Sequence, residues 1–392
     1  MNDLQLTRRD LLVAGAALAA GAARAGASLA PAPVPTRRFG RASERVSILG
    51  LGGYFDPDAG AELLAAAHRL GVRYWEITLA RGATAHGRYF DANPTHRDDV
   101  FLLAKARSAT PDEMTRDLQR SLLEARTSRV DCFVVQGVSD PSVLTDAVRV
   151  WAERQKAAGA IRHFGFSTHA NMATCVGRAA ELGWIDGVVT TYNYRLMDDP
   201  DLNRAIEACA RAGVAVTAIK SQALPTNPVA DIGSESEGAR SRLKPFLSRE
   251  AALGQAKLQA VWSDPRVASV LSLMDPRLLE INAAAARAGG PTRGAADALR
   301  EHARATASSY CAGCANTCES RLPAGVPVSR VMRYLMYANG YGDPTRARAA
   351  FAALPDSARR AMADADYRRA ESACPQHIPI RARMSEALRT LG

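Results

Sequence analysis

Residues 201–220 read DLNRAIEACARAGVAVTAIK and contain a helix-like segment, a glycine and a strand-like segment in succession. The helix-like segment must stop before the strand, and Gly213 lies at the position where helix C-termini favour glycine. The apolar run that begins at Val214 is continuous at first, which is typical of a parallel strand covered on both faces. The stretch therefore predicts one helix-to-strand unit of an α/β fold.

The same unit recurs along the chain. Helix-like stretches alternate with eight short apolar runs, which occupy residues 46–51, 74–77, 100–104, 132–135, 162–166, 188–191, 214–219 and 267–273. An open doubly wound sheet uses the same elements, but eight units without an evident break in order favour closure. The sequence therefore predicts an α/β fold with a closed (β/α)8 barrel of the TIM type.

The composition bounds the other predictions. With 392 residues, 47% of them hydrophobic, the chain can bury one large core and carry an appended domain. The formal net charge is +10, but the arginines are scattered among acidic residues rather than clustered with aromatic ones. We therefore predict no nucleic-acid interface.

The first 25 residues have the three parts of an export signal. Arg8 and Arg9 form a basic start, an apolar run over 13–23 follows, and an Ala-Arg-Ala site ends the segment. Paired arginines indicate the twin-arginine route. The apolar run is too short to span a bilayer, so we predict a periplasmic or otherwise exported protein without a stable membrane anchor. Residues 26–36 form a Pro/Ala linker.

Four cysteines near the C-terminus have the spacing of metal ligands. Cys311, Cys314 and Cys318 lie in one turn-rich segment, and Cys374 precedes Pro375. The pattern resembles ferredoxin-type [4Fe-4S] ligation, with one extra residue before the third cysteine. A structural zinc site and two disulfides are the alternatives. Because the twin-arginine route carries folded proteins, a cluster assembled inside the cell agrees with the N-terminal signal.

The alternation of strands and helices ends after residue 287. Gly289, Gly290 and Pro291 interrupt the chain, and helix-like stretches continue from there to the C-terminus. These helices must fold back to bring Cys374 to the other three cysteines. We therefore predict a barrel over residues 37–287 and a small helical 4Fe-4S-binding domain over residues 288–392.

Several motifs together resemble the aldo/keto reductase family. In the barrel they are RFG at 38–40, LGLG at 49–52, VDCF at 130–133, IRHFGFS at 161–167, YNYR at 192–195 and AIK at 218–220. The C-terminal motifs are YCAGC at 310–314, MRYLMY at 332–337 and CPQ at 374–376. With these, the whole chain resembles the twin-arginine-exported members of the family that carry a C-terminal 4Fe-4S ferredoxin-type domain.

The resemblance implies a catalytic tetrad from which this chain departs. Aldo/keto reductases pass hydride from NADPH to a carbonyl, using a tyrosine acid, a lysine, an aspartate and a histidine. Lys105 is kept, whereas Glu76 replaces the aspartate, Arg81 the tyrosine and Gln136 the histidine. Arginine cannot donate a proton at neutral pH, so the tetrad is degenerate.

Other residues are candidates for the missing proton donor. Tyr54, Tyr89 and His86 all follow strands at the end of the barrel where active sites form. Each of them has the right chemistry for an acid, although buried or rim residues of these types are commoner.

The resemblance also implies a nicotinamide site that is weakened here. Ser167 matches the serine that holds the nicotinamide amide, and Lys220 and Arg277 are the candidate phosphate ligands. Thr168 replaces the usual asparagine, and the glycine that lets backbone approach a phosphate after the eighth strand is missing. We therefore expect NADP(H) to bind weakly.

Two functions follow from these observations. In the first, an exported oxidoreductase relays electrons between a [4Fe-4S] cluster and a barrel pocket that binds a small-molecule substrate. That pocket is expected to be lined by Glu76, Arg81, Lys105, Gln136 and Tyr192. In the second, the barrel has lost catalysis and serves as an electron-transfer or anion-binding subunit, with Arg81 and Lys105 holding the anion. Either function implies a redox partner protein.

Overall fold

A computed structural model describes residues 32–55, 58, 60–226, 250–272 and 274–392 of the chain. The predicted signal peptide, residues 1–25, and the first part of the predicted linker lie outside the described residues. Within those residues, no helix combines the length and the apolar character needed to cross a bilayer.

Eight parallel strands form a closed barrel, which confirms the predicted fold class. In chain order they are β3, Leu49–Leu51; β4, Tyr74–Glu76; β5, Phe101–Ala106; β6, Val130–Val135; β7, Ile161–Thr168; β8, Gly187–Thr191; β9, Ala215–Ile219; and β10, Val267–Ser272. Each strand pairs with its neighbours in sequence, and β10 closes the barrel on β3. The order is that of a TIM barrel.

The first predicted strand is divided in two. Arg45–Ser47 forms β2, which pairs with β1, Thr36–Arg38, in an antiparallel hairpin, and only Leu49–Leu51 joins the barrel. The hairpin turn places Phe39 against the rings of Phe101 and Tyr74, at centroid distances of 4.7 and 6.4 Å. These aromatic side chains fill the amino end of the barrel. The open end is therefore the one at the carboxyl ends of the strands.

Helices surround the barrel in the expected alternation. They are α1, Gly60–Arg69; α2, Thr84–Ala92; α3, His96–Asp99; α4, Pro111–Glu124; α5, Asp146–Ala157; α6, Met172–Leu182; α7, Pro200–Ala212; α8, Glu250–Trp262; and α9, Pro276–Ala288. Helix α7 ends at Gly213 with a φ of 68°, the left-handed conformation that glycine adopts without strain. The predicted stop and the strand after it are both present.

The C-terminal part of the chain is helical. It contains α10, Arg293–Ala305; α11, Ala315–Glu319; α12, Val328–Leu335; α13, Pro344–Ala352; α14, Asp356–Asp364; α15, Arg368–Ser372; and α16, Ile380–Thr390. A π-helix, Met336–Gly340, continues α12. Leu299 of α10 packs in the barrel's outer core, whereas Val331, Phe351 and Met384 belong to a separate apolar cluster. The helices after α10 therefore have a core of their own.

The loop that contains Cys311 and Cys314 packs against the barrel next to β7. The Asn171 backbone N–H donates to the Gly313 carbonyl at 2.7 Å. The Asn171 side-chain amide also donates to Asn316 Oδ1 at 2.8 Å and accepts from the Asn316 backbone N–H at 2.7 Å. Gly313 has a φ of 77°, and a Cβ there would lie 2.6 Å from the His169 carbonyl oxygen. Only glycine allows this approach.

The π-helix packs closely against the loop after β9. A Cβ on Gly340 would lie 2.8 Å from Leu224 Cβ and 2.9 Å from the Pro225 oxygen, so backbone meets backbone closely here. The Asn339 side chain donates to the Thr226 carbonyl at 2.8 Å. Both contacts hold the helical part over the open end of the barrel.

Replacing Gly313 by alanine is expected to destabilise the protein more than replacing Gly325 by alanine. Both glycines have positive φ, 77° and 92°, so each substitution costs about 1 kcal/mol in backbone strain. Only at Gly313 does the new Cβ collide with backbone, since nothing lies within 4 Å of a Cβ on Gly325. The free energies of unfolding in guanidinium should differ by about 1 kcal/mol or more. Equal losses would contradict the close docking of the loop.

Candidate functional site

A cavity of about 630 Å³ opens at the carboxyl ends of the barrel strands. Residues that follow six strands line its barrel side, among them Gly52, Thr78, Arg107, Gln136, His169 and Ser221. The other side is formed by the C-terminal helices, through Arg333, Tyr334, Tyr337, Tyr341 and Arg346. This pocket is therefore a joint product of the barrel and the helical part.

Glu76 and Lys105 form a buried ion pair in the pocket. The Lys105 Nζ contacts Glu76 Oε1, and the Gly53 backbone N–H donates to Glu76 Oε2 at 3.1 Å. Both residues are more than 90% buried. Glutamate thus does the pairing that the resemblance gives to aspartate, and Gln136 lines the same cavity. Three of the four tetrad positions come together.

The fourth position, Arg81, lies at the outer rim. Its side chain is exposed and does not line the cavity, whereas its guanidinium carbon lies 4.6 Å from the centroid of the Tyr54 ring. Tyr54 itself lines the pocket. A tyrosine is therefore present in the pocket, but it comes from the loop after β3 rather than from the position after β4.

The other two candidates for the proton donor lie away from the pocket. The Tyr89 hydroxyl is bonded to His96 Nδ1 at 2.8 Å. His86 is buried near Phe55, and neither of its ring nitrogens has a hydrogen-bond partner among the residues that the structure describes. Burial lowers the pKa of His86 to about 4, so the imidazole is neutral. Both residues belong to the packing behind the pocket.

Tyr192 and two of the candidate cofactor ligands also lie outside the pocket. Tyr192 is fully buried and its hydroxyl donates to Asp264 Oδ2 at 2.8 Å. The Ser167 hydroxyl accepts from the Gly137 backbone N–H at 3.0 Å. Arg277 is exposed on α9. Only Lys220 of the three candidate cofactor ligands lines the cavity.

His169 was not singled out by the sequence. It follows β7, lines the pocket, and shares a hydrogen bond of 2.8 Å between its Nδ1 and the Thr191 hydroxyl. Burial and the positive charges of Arg333 and Lys220 hold the pKa of His169 well below its ordinary value. Its position directly after a strand would have been the sequence signal for a place in the pocket.

Residues of the helical part were also missed. Arg333 and Tyr337 lie four positions apart, a spacing that puts them on one face of the helical segment, and both line the pocket. The MRYLMY motif contains them, but their approach to the barrel is a long-range contact. Local spacing alone gives no indication of which face meets the strands.

The four predicted ligand cysteines surround one small apolar cavity. Cys311, Cys314, Cys318 and Cys374 line it together with side chains such as Val328, Met332 and Ile378. All four are free thiols, and burial raises the pKa of Cys311 and of Cys318 to about 12. In the described part of the chain, no three His, Cys, Asp or Glu side chains are grouped so as to hold a metal ion. The sulfurs border a common space instead.

A third cavity, of about 40 Å³, lies between the pocket and the cysteines. His169, Lys220 and Arg333 border both this cavity and the pocket. Cys311 and Met332 border both this cavity and the cysteine site. The cysteine site and the barrel pocket thus both adjoin this third cavity.

Comparison with known proteins places the barrel. The sequence model of the aldo/keto reductase family matches residues 47–263, more than half of the chain. No curated protein matches the chain in sequence. A solved aldo-keto reductase from Bacillus halodurans, in its holo form, has a TM-score of 0.57 and 18% identity, covering 69% of this chain and 97% of its own. A protein from Pseudomonas aeruginosa described as an aldo-keto reductase has a TM-score of 0.50 and 21% identity, covering 67% and 99%. At these identities the structures show the fold alone.

Replacing His86 by leucine is expected to make stability less sensitive to acid. The folded-state pKa of about 4 lies below the unfolded value near 6.5, so the unfolded chain binds the proton first as the pH falls. The neutral histidine's contribution is complete above pH 6.5 and is lost as the pH falls toward 4. Between pH 7 and pH 4 the wild type should lose roughly 3 kcal/mol more than the variant in urea unfolding. Parallel pH profiles would contradict the burial of a neutral His86.

Proposed function

This chain belongs to the aldo/keto reductase family, and we propose that it is an exported oxidoreductase with a [4Fe-4S] cluster beside its barrel pocket. In this proposal electrons pass between the cysteine site and a small molecule in the pocket. The main support for this proposal is one small cavity that Cys311, His169, Lys220 and Arg333 all border. Cysteine ligands that had only a structural role would not need to lie next to the pocket.

The donor set of the cysteine site suits the cluster. Four thiols border one cavity whose other lining is mostly apolar, and none of them is in a disulfide. Burial opposes the thiolate form at Cys311 and Cys318, and a bound cationic iron centre would reverse that effect. Such a cluster supplies one-electron transfer when bound, and an apolar surrounding tunes its potential.

The pocket retains groups that act on a carbonyl or a hydroxyl. Glu76 fixes Lys105 in place through a buried ion pair, and both residues line the cavity. Tyr54 brings a phenol hydroxyl to the same cavity, which a proton donor requires. We therefore propose that Tyr54 replaces the family's tyrosine acid and that Lys105 orients the reacting oxygen.

The residues predicted to bind the nicotinamide cofactor do not all line the pocket. The Ser167 hydroxyl is bonded to backbone and Arg277 is exposed on a surface helix. We therefore propose that NADP(H) binds weakly and that a redox partner protein exchanges electrons at the cysteine site. The export signal predicted at residues 1–25 supports this, since no recycled nicotinamide pool exists outside the cytoplasm.

The second candidate function is an electron-transfer or anion-binding subunit without catalysis. The positive charge of the pocket favours it, because five lysine and arginine side chains line the cavity and Glu76 is the only described acid among its lining residues. The two candidates share the cysteine site. They differ in whether the pocket turns over a substrate with the help of Tyr54 and Lys105.

Substituting any one of Cys311, Cys314, Cys318 and Cys374 by serine is expected to remove a broad brown absorbance from anaerobically purified protein. The wild type should contain about four irons and four sulfides per chain. The matched control is Cys175→Ser, which changes a buried cysteine that does not border the cavity and should leave the absorbance unchanged. A colourless wild type with one zinc per chain would overturn the cluster in favour of a zinc site.

A further inference from the structure

We infer that the pocket contains a subsite for a small multivalent anion, formed jointly by Lys220 of the barrel and by Arg333 and Arg346 of the C-terminal helices. The inference rests on the proposed function, because it names the substrate class of that pocket. The substrate would be a small carbonyl or hydroxyl compound that carries a phosphate or at least two carboxylates.

The three cations point into the same cavity without acidic partners. Lys220, Arg333 and Arg346 all line the pocket, and none of them is paired with a carboxylate in the described part of the chain. The acid that lines the pocket, Glu76, already contacts Lys105 and the Gly53 N–H. Three like charges in one concave site repel one another unless an anion joins them.

Tyrosine rings hold two of the cations in position. The Lys220 Nζ lies 4.9 Å from the Tyr337 ring centroid and 4.8 Å from that of Tyr341. The Arg346 guanidinium carbon lies 4.1 Å from the Tyr337 centroid and 4.2 Å from that of Tyr54. Cation–π contact offsets the loss of water around each charge without neutralising it. The positive charge therefore remains available to a ligand.

The electrostatics of neighbouring groups agree with this arrangement. Burial, together with Arg346 and Arg333, lowers the pKa of Lys220. Burial also lowers the pKa of His169, and the same two arginines lower it further. Burial is the largest cause of both shifts, and the charges of Arg333 and Arg346 act in the same direction, although Tyr341 opposes the shift at Lys220.

The backbone explains why the subsite forms only in the assembled fold. The π-helix Met336–Gly340 carries Tyr337 and leads into Tyr341, and Gly340 allows it to pack closely on the loop at Leu224. π-helical turns are frequent at functional sites because they redirect side chains. The tyrosines therefore reach Lys220 from across the mouth of the barrel.

The ligand chemistry follows from the donors. Guanidinium groups match carboxylate and phosphate oxygens in paired hydrogen bonds, and an ammonium adds a point charge. Three positive charges favour a ligand with two or more negative charges over a monoanion. The cavity of about 630 Å³ has room for a small molecule that also reaches Tyr54 and Lys105.

The test is calorimetric titration of the full-length, cluster-containing protein with inorganic pyrophosphate, malonate, acetate and NADP⁺. We expect pyrophosphate and malonate to bind and acetate to bind at least about 10-fold more weakly. Arg333→Gln and Arg346→Gln should each weaken the binding of pyrophosphate by about 10-fold or more, and added salt should weaken this binding further. Arg346→Lys should restore part of the loss.

The matched control is Arg348→Gln, which changes an exposed arginine on the same helix as Arg346 and should leave binding unchanged. Equal affinities in the wild type, Arg333→Gln and Arg346→Gln would overturn the subsite. Tight NADP⁺ binding that depends on both arginines, with no binding of pyrophosphate or malonate, would also overturn it in favour of a nucleotide site. The visible spectrum of each sample reports the cluster separately, so a failure of the proposed function is distinguishable from a failure of the subsite.

Discussion

The close approach of the cysteine loop to the barrel is the constraint on which the rest of the structure depends. Gly313 adopts a positive φ and lies against the His169 carbonyl, where no side chain has room. The paired amides of Asn171 and Asn316 fix the same contact. Because this loop carries the first three cysteines, the contact sets the distance between the cysteine site and the pocket. A loop held farther out would leave the thiols on the surface of an ordinary barrel.

The covering helices change what the barrel can do. In a bare barrel the strand ends open to solvent, whereas here Tyr337, Tyr341 and Arg346 form the outer wall of the pocket. The helices thus bring charges and aromatic rings to the same cavity as the degenerate tetrad positions. Under the proposed function, a pocket that exchanges electrons with a cluster would need no hydride donor, which agrees with the dispersed nicotinamide ligands. Its remaining requirements are a proton donor, a fixed positive charge and a means of holding the ligand.

Much of the barrel was predictable from local sequence, and much of the site was not. Strand hydrophobicity and glycine stops such as Gly213 are local signals, and the pairing of Glu76 with Lys105 followed from adjacent strands in a known order. Tyr192 was expected in the pocket, but its hydroxyl bonds to Asp264, a partner 72 residues away. Arg346 reaches Tyr54 from the far end of the chain. No periodicity encodes which helix face covers a barrel, so the outer half of the pocket required the structure.

The central claim is that a [4Fe-4S] cluster lies next to the positive charges of the barrel pocket. The most direct measurement is an anaerobic redox titration followed by electron paramagnetic resonance, on the wild type, Arg333→Gln and Arg348→Gln. We predict a cluster signal whose midpoint potential falls by on the order of tens of millivolts in Arg333→Gln, because a nearby positive charge that stabilises the reduced cluster is lost. Arg348→Gln should leave the potential unchanged. Absence of an iron–sulfur signal, or identical potentials in all three proteins, would contradict the account.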